Sequence, residues 1–244
     1  MERIQKFSLL KRREDLSRNQ FNEHWRTVHG PLLASLPEYW KNNESYVQSY
    51  VLPMPQSIGT EPFFDGIAQT MQRPREDMTR GFFHEPAYLN IVRPDEQKFL
   101  SLPDCTAVFG KQHVIKDGPH TGIKFMSFLR PADGFDHESF LQYWRNNHAQ
   151  LVEEVKPFWK HIRRYVQNHG IPELYRGLSS DGKPAPFVGV AEIWFDSVED
   201  LEVAFNEPEY LARVRPDEGK FIKKPTTRFI IQERPVKAPE GMMF

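Results

Sequence analysis

Along residues 4–10 the side chains alternate, with Ile4, Lys6 and Ser8 on one side of an extended chain and Gln5, Phe7 and Leu9 on the other. That two-residue period predicts a strand. Past Ser17, a good helix N-cap, the period changes: Phe21, Trp25, His29 and Leu32 follow i, i+4, i+8, i+11 and share one helical face. Extended runs follow at 46–52 and 63–72, and a helical region at about 75–100 carries interruptions at Pro86 and Pro94. Residues 106–115 read as a closing strand.

The order then recurs. A strand is predicted at 122–129, and Asp136 caps a helix carrying Phe140, Trp144, His148 and Leu151. Strands follow at 162–168 and 187–195. Ser197 with Asp200 makes a capping-box arrangement ahead of a further helix, and a last strand spans 227–234. The two halves share more than periodicity. Residues 21–48 and 140–167, at a constant shift of 119, agree at ten of 28 positions, among them Phe21/Phe140, Trp25/Trp144, His29/His148, Tyr46/Tyr165 and Gln48/Gln167. Residues 85–99 and 207–221 agree at 11 of 15, including Arg93-Pro94-Asp95-Glu96 against Arg215-Pro216-Asp217-Glu218. A unit this long is a duplicated domain rather than a solenoid repeat, whose periods run from about 20 to 50 residues. Residues 116–122, with two glycines and a proline, read as the linker between modules 1–117 and 121–244. Loops rich in Pro, Gly and Ser are expected at 53–62 and 172–186.

Each half reads β-α-β-β-α-β, the split βαβ order of ferredoxin-like folds, in which helices cover one sheet face. The strand at 187–195 shows what the other face requires. Val190, Glu192 and Trp194 point one way and Ala191, Ile193 and Phe195 the other, and both sets are mainly apolar. A strand buried on both faces needs a second layer. The fold class expected is therefore α+β: two tandem ferredoxin-like modules whose antiparallel sheets pack into an α+β barrel within one chain.

Composition narrows the function. The 244 residues include 39% hydrophobic and 27% charged, with a net charge of −1 and both signs interspersed. That argues against nucleic acid or an anionic membrane as partner. Cys105 is the only cysteine, so no intramolecular disulfide or cysteine-based metal site is expected. Neither a signal peptide nor an apolar run long enough for a membrane span is visible, and a cytoplasmic protein is expected. No phosphate-cradling glycine loop or dinucleotide fingerprint is present. His24 and His29 are five apart, not the four of a zinc helix.

Phe21-x-x-His24-Trp25-x-x-x-His29, Phe140-x-x-Tyr143-Trp144-x-x-x-His148, Arg164-Tyr165-Val166-Gln167, Phe64-Asp65-Gly66-Ile67-Ala68 and the run from Val188 to Asp196 together resemble the EthD family of dimeric α+β barrel proteins. The resemblance spans both halves. It implies a fused version of a module that elsewhere dimerises through its sheet. For function it implies a small-molecule protein related to polyketide-tailoring dehydratases, decarboxylases and cyclases, in a superfamily that also holds isomerases, cofactor-free monooxygenases and haem enzymes.

Candidate chemistry follows from residue type and face. His29 and His148 lie on the helix face turned toward the sheet, where an imidazole suits a general acid or base. A structural role common to both halves is the alternative. His24 and Tyr143 occupy equivalent flanking positions but differ. Tyr46 with Gln48, and Tyr165 with Gln167, share a strand face and would orient a carbonyl if that face lines the barrel; otherwise they are core. Glu192, set among apolar neighbours, would have a raised pKa unless paired with an Arg or Lys, Arg145 or Arg164 being the candidates; its counterpart is Gln69. The Arg-Pro-Asp-Glu segments read as helix starts and salt-bridge partners. The expectation is a cofactor-independent lyase or isomerase of dehydratase type on a small hydrophobic, oxygenated substrate. His148 and Glu192 in the second half would carry the chemistry, with Tyr143 and Tyr165 orienting and with His29 and His24 as first-half candidates. Trp144, Gln167, Trp194, Trp25, Tyr46 and Gln48 would contact substrate. A non-catalytic carrier and a haem-dependent or cofactor-free oxygenase are the alternatives, no metal or other cofactor is expected, and a homodimer is left open.

Overall fold

A computed structural model describes residues 4–74, 81–176 and 187–237. Its eight strands are β1 (Ile4–Leu10), β2 (Tyr46–Leu52), β3 (Gly66–Gln72), β4 (Thr106–Lys116), β5 (Ile123–Leu129), β6 (Arg164–Gly170), β7 (Gly189–Phe195) and β8 (Thr227–Lys237). They close into one antiparallel barrel in the order β1-β3-β2-β8-β5-β7-β6-β4. Each half therefore contributes four strands, in the spatial orders β4-β1-β3-β2 and β8-β5-β7-β6. The halves join through β2–β8 and β4–β6 pairing, which satisfies the backbone groups that two open sheets would leave at their edges.

Closure gives every strand an inner and an outer face. Phe7, Leu9, Val51, Ile67, Val108, Met126, Phe128, Val190, Phe229 and Ile231 form one cluster inside the barrel. The alternate positions pack against helices: Phe125, Leu129, Ala191, Ile193 and Phe195 join Phe140, Trp144 and Phe158 in a separate core. The double burial expected of 187–195 is realised, since β7 is buried at every position.

Helix starts follow the caps read from sequence. Ser17 accepts from the Gln20 backbone and Asp136 from that of Ser139. A feature invisible to hydrophobic spacing is a π-helical turn at each equivalent site: Trp25–His29, Tyr88–Val92, Trp144–His148 and Tyr210–Val214. Such wide turns cluster at functional sites. They also explain why Pro94 does not interrupt its helix as expected: it enters Arg93–Phe99 directly after a π turn. Residues 75–80 of the predicted helical region and 177–186 of the predicted loop lie outside the described residues. Among those described, no helix is long and apolar enough to cross a membrane.

Candidate functional site

The strands decide where the predicted residues fall. Glu192, on the inner face of β7, is 3% exposed and is paired with a basic side chain, the alternative the sequence offered; the partner is Lys124 of β5, not Arg145 or Arg164. Lys124 also contacts Glu233 at 2.6 Å and donates to Gln69 at 3.1 Å. β3 and β5 are separated in the barrel by β2 and β8, so this last bond spans the lumen. Asn168 completes the cluster by donating to Glu192 at 2.8 Å. Burial alone would lower the Lys124 pKa, but the two carboxylates reverse it and hold the ammonium charged. Trp194 lies against the same ammonium, 4.3 Å from ring centre to Nζ. Glu192 and its counterpart Gln69 thus share one polar layer inside the barrel.

His148 lies on the other side of the sheet, beneath helices, so His148 and Glu192 do not meet in one site. Tyr46 with Gln48 and Tyr165 with Gln167 are under the helices too. Trp25 Nε1 donates to the Tyr46 hydroxyl at 2.8 Å, and Gln48 donates to the Trp25 carbonyl at 2.7 Å. Trp144, Tyr165 and Gln167 repeat this at 3.1 Å for both bonds. The Tyr-Gln pairs therefore bind helix to sheet and do not line the barrel.

The Arg-Pro-Asp-Glu segments supply the ion-pair partners expected of them, to His29 and His148. Asp95 is buried and accepts from His24 Nε2 and His29 Nδ1, each at 3.0 Å. Asp217 accepts from Tyr143 at 2.6 Å and His148 Nδ1 at 2.8 Å. Burial opposes the ionised carboxylates, yet these hydrogen bonds hold both aspartates below their usual range. His24 and Tyr143 differ chemically but perform one task, donating to the same aspartate. An ionised Asp95 accepts from His29 Nδ1 and so fixes the orientation of the ring. The adjacent glutamates are held by tyrosines: Tyr88 donates to Glu96 and Tyr210 to Glu218, both at 2.8 Å.

Here the halves part. In the first, a cavity of about 820 Å³ opens between the outer sheet face and the helices, within the range of small-molecule sites. Its polar lining includes Lys6, His29, Tyr46, Thr70, Gln72 and Glu96, and its apolar walls include Trp25, Phe82, Phe83 and Val92. The equivalent space in the second half has shrunk to about 50 Å³. Register shows why. Lys6 pairs with Thr70 and Ile4 with Gln72, whereas Phe125 pairs with Ile193 and Ile123 with Phe195. Phe125, Ile193 and Phe195 occupy the volume that Lys6, Thr70 and Gln72 leave open. Ser8 sits opposite Ala107, and Ser127 opposite Arg228. Arg228 and Lys224 each reach Glu218 at 3.3 Å, so that carboxylate is neutralised in place.

Glu96 has no such partner within 4.0 Å among the described residues. Desolvation raises its pKa, against the opposing influence of His29, Tyr88, Lys6 and Arg93. Lys6 is its reciprocal: burial lowers the amine from 10.5 to about 7, with Glu96 pulling the other way. Sequence reasoning did not single out Lys6 or Glu96, and it favoured the second half, where the equivalent space is small. The signal was present, because Lys6 aligns with Phe125 at the same shift of 119 that reveals the repeat. His29, Trp25 and Tyr46 line the large cavity; His148, Trp144 and Tyr165 line only its remnant. Among the described residues no group of three or more His, Cys, Asp or Glu is placed to hold a metal ion.

The EthD domain family model matches residues 13–103 and 132–225. The chain belongs to the EthD family. Its two matched segments correspond to the two halves of the barrel, so an EthD domain is present twice. Among solved structures, this EthD chain is similar to an anthrone oxidase-like protein, with a TM-score of 0.54 and 12% identity over 100% of this chain and 97% of the other. It is also similar to a proposed monooxygenase from Lactobacillus acidophilus NCFM, with a TM-score of 0.52 and 12% identity over 100% and 99% of the two chains. A proposed chlorite dismutase gives 0.50 and 10% over 97% and 96%. At such identities the likeness is one of fold. No curated protein sequence matches the chain.

Proposed function

We propose that this EthD protein is an acid–base enzyme of the lyase or isomerase class, acting without a cofactor on a small, hydrophobic, oxygen-bearing molecule. In this reading the chain is a tandem of ferredoxin-like modules, 1–117 and 121–244, of which the first is catalytic and the second completes the barrel. The observation that carries it is the first-module cavity, where half-buried Glu96 has a raised pKa and no cationic group within 4.0 Å among the described residues, while its copy Glu218 is locked by Arg228 and Lys224 in a filled site. A carboxyl tuned upward by burial suits proton transfer near neutrality.

Catalysis is accordingly assigned to Glu96 and His29 rather than to His148 and Glu192. Glu96 takes or delivers a proton at the substrate carbon or leaving oxygen. His29, oriented by Asp95 through Nδ1, is the second acid–base group. Tyr46 accepts hydrogen bonds from Trp25 and Gln48, which leaves its own O–H to donate to a substrate oxygen. The predominantly apolar walls exclude water and select a hydrophobic body. Since both module edges pair within the chain, a homodimer would form through helical surfaces.

The test is proton exchange next to a carbonyl in D2O, followed by NMR across a panel of aryl ketones. The wild type should accelerate exchange for at least one member. Glu96→Gln should lower that rate by about 10²–10⁴-fold, the usual contribution of one general acid–base group, while Glu192→Gln should leave the rate of the folded protein near wild type. Equal exchange by wild type and Glu96→Gln would remove the reading.

A further inference from the structure

Two lysines in this barrel are almost fully buried, and they are treated in opposite ways. Lys124 sits between Glu192 and Glu233, as a buried ammonium must if it is to stay charged. Lys6, 8% exposed, has no hydrogen bond or ion pair among the described residues. Its ammonium instead lies over the Phe83 ring, 3.8 Å from the centroid. Structure does not require an amine here, because the copy at this position is Phe125, buried in a continuous apolar core. A buried amine with no ion-pair partner among the described residues, opening on a cavity that also holds a protonatable carboxyl, is a recognised arrangement for a lysine nucleophile.

We propose that Lys6 captures an aldehyde or ketone substrate as a Schiff base in the first-module cavity, with Glu96 as the proton donor for loss of water. The proposal rests on the acid–base reading of that cavity and names the substrate class it takes. The neutral amine attacks the carbonyl carbon, a C–N bond forms, and the carbonyl oxygen takes up the proton leaving nitrogen to give a carbinolamine. Protonated Glu96 gives its proton to that hydroxyl, the C–O bond breaks, and water departs with the former carbonyl oxygen. An iminium joined to Nζ remains beside the Glu96 carboxylate. No oxidant or reductant is consumed. The iminium withdraws electrons from the neighbouring carbon, and the regenerated carboxylate is the base that can remove a proton from it. Both the elimination and the isomerisation assigned to the cavity proceed from that point.

Burial favours the first step directly. With the amine lowered to about 7, roughly half of Lys6 is neutral at pH 7, against about one part in a few thousand for an ordinary lysine. Lower basicity reduces nucleophilicity in part, so a labelling preference of at least about tenfold over other lysines is expected.

The test is reductive trapping on the full chain: benzaldehyde with sodium cyanoborohydride at pH 7, then digestion and mass spectrometry of every lysine-bearing peptide. Lys6 should carry the benzyl adduct at probe concentrations where Lys41, Lys98 and Lys156 remain unmodified. Lys6→Met should abolish that adduct while retaining a cooperative thermal transition, and Glu96→Gln should slow its formation at least tenfold. Uniform labelling of all lysines, or protection of Lys6 relative to them, overturns the Schiff base. If Lys6 is not trapped but Glu96→Gln still abolishes ketone exchange, the covalent step fails and the acid–base reading survives. If Lys6 is trapped while exchange is insensitive to Glu96→Gln, the amine is reactive as proposed and the assignment of Glu96 fails.

Discussion

Replacing Lys6 by Met should make the protein more stable, and by an amount that depends on pH. Folding lowers the amine from 10.5 to about 7, because the cavity wall desolvates it more than Glu96 compensates. At about 1.36 kcal/mol per pKa unit, the charged form costs the fold up to roughly 5 kcal/mol. Methionine fills the same volume without that cost but forfeits the contact with Phe83, on the order of 1–2 kcal/mol. The net gain expected is about 3 kcal/mol, or roughly 6–12 °C in Tm for a chain of this size. The sign follows from linkage. Between pH 7 and 10.5 the unfolded state binds more protons at Lys6 than the folded state, so wild-type stability rises with pH across that window. The gain from Lys6→Met is therefore full at or below pH 7 and vanishes toward pH 10.5. Urea unfolding of both proteins at pH 6, 7, 8, 9 and 10, with the difference plotted against pH, reads this directly. A difference independent of pH, or a loss of stability at pH 7, would refute the claim that Lys6 is a buried amine whose desolvation outweighs the pull of Glu96.

Other substitutions test the frame around the cavity. Asp217→Asn removes the ionised acceptor shared by His148, Tyr143 and Lys220, and should cost about 2–4 kcal/mol at pH 7 by denaturant unfolding. Because folding depresses the Asp217 pKa, its contribution is present above the unfolded value of 3.8 and is lost as pH falls below it, so the penalty should shrink toward pH 2. Lys124→Met leaves Glu192 and Glu233 together inside the barrel and should destabilise by about 3–5 kcal/mol at pH 8, recovering in part at pH 5 as one carboxylate is protonated. Gly66→Ala would place a Cβ 2.7 Å from the Trp25 ring and should cost about 1–3 kcal/mol in the same assay.

The architecture was legible in the sequence for reasons that particular residues make plain. Ile4 to Leu10 alternates, Ser17 and Asp136 cap, and β7 is apolar on both faces, so strands, helix starts and a second layer could all be inferred locally. Which strand face turns inward was not legible, because it is set by barrel closure between β2 and β8 and between β4 and β6. That one ambiguity moved Glu192 away from His148 and put Tyr165 under a helix. The partners of buried charges were missed for the same reason: Lys124 reaches Glu192 across a strand pair, and Asp95 meets His29 from 66 residues away.

The repeat marks where the two halves diverge, but its motifs are not the positions that differ in cavity size. Shared residues, with His24 and Tyr143 serving the same aspartate, build two equivalent scaffolds. The difference that matters lies outside those motifs, at Lys6 against Phe125, Thr70 against Ile193 and Gln72 against Phe195. These positions are ordinary members of an alternating strand pattern. Only the cross-strand register, which brings Lys6 beside Thr70, reveals that they bound one space.

The central claim is that the first module holds the working site and the second does not. The most direct measurement is a crystal of the full chain soaked with an aryl ketone that the exchange assay has shown to react. Density is expected between Lys6 and Glu96, against Phe82 and Phe83, with the second-module space between Phe125 and Trp144 empty of ligand. Density beside His148, or in the barrel interior against Lys124 and Glu192, would contradict that claim.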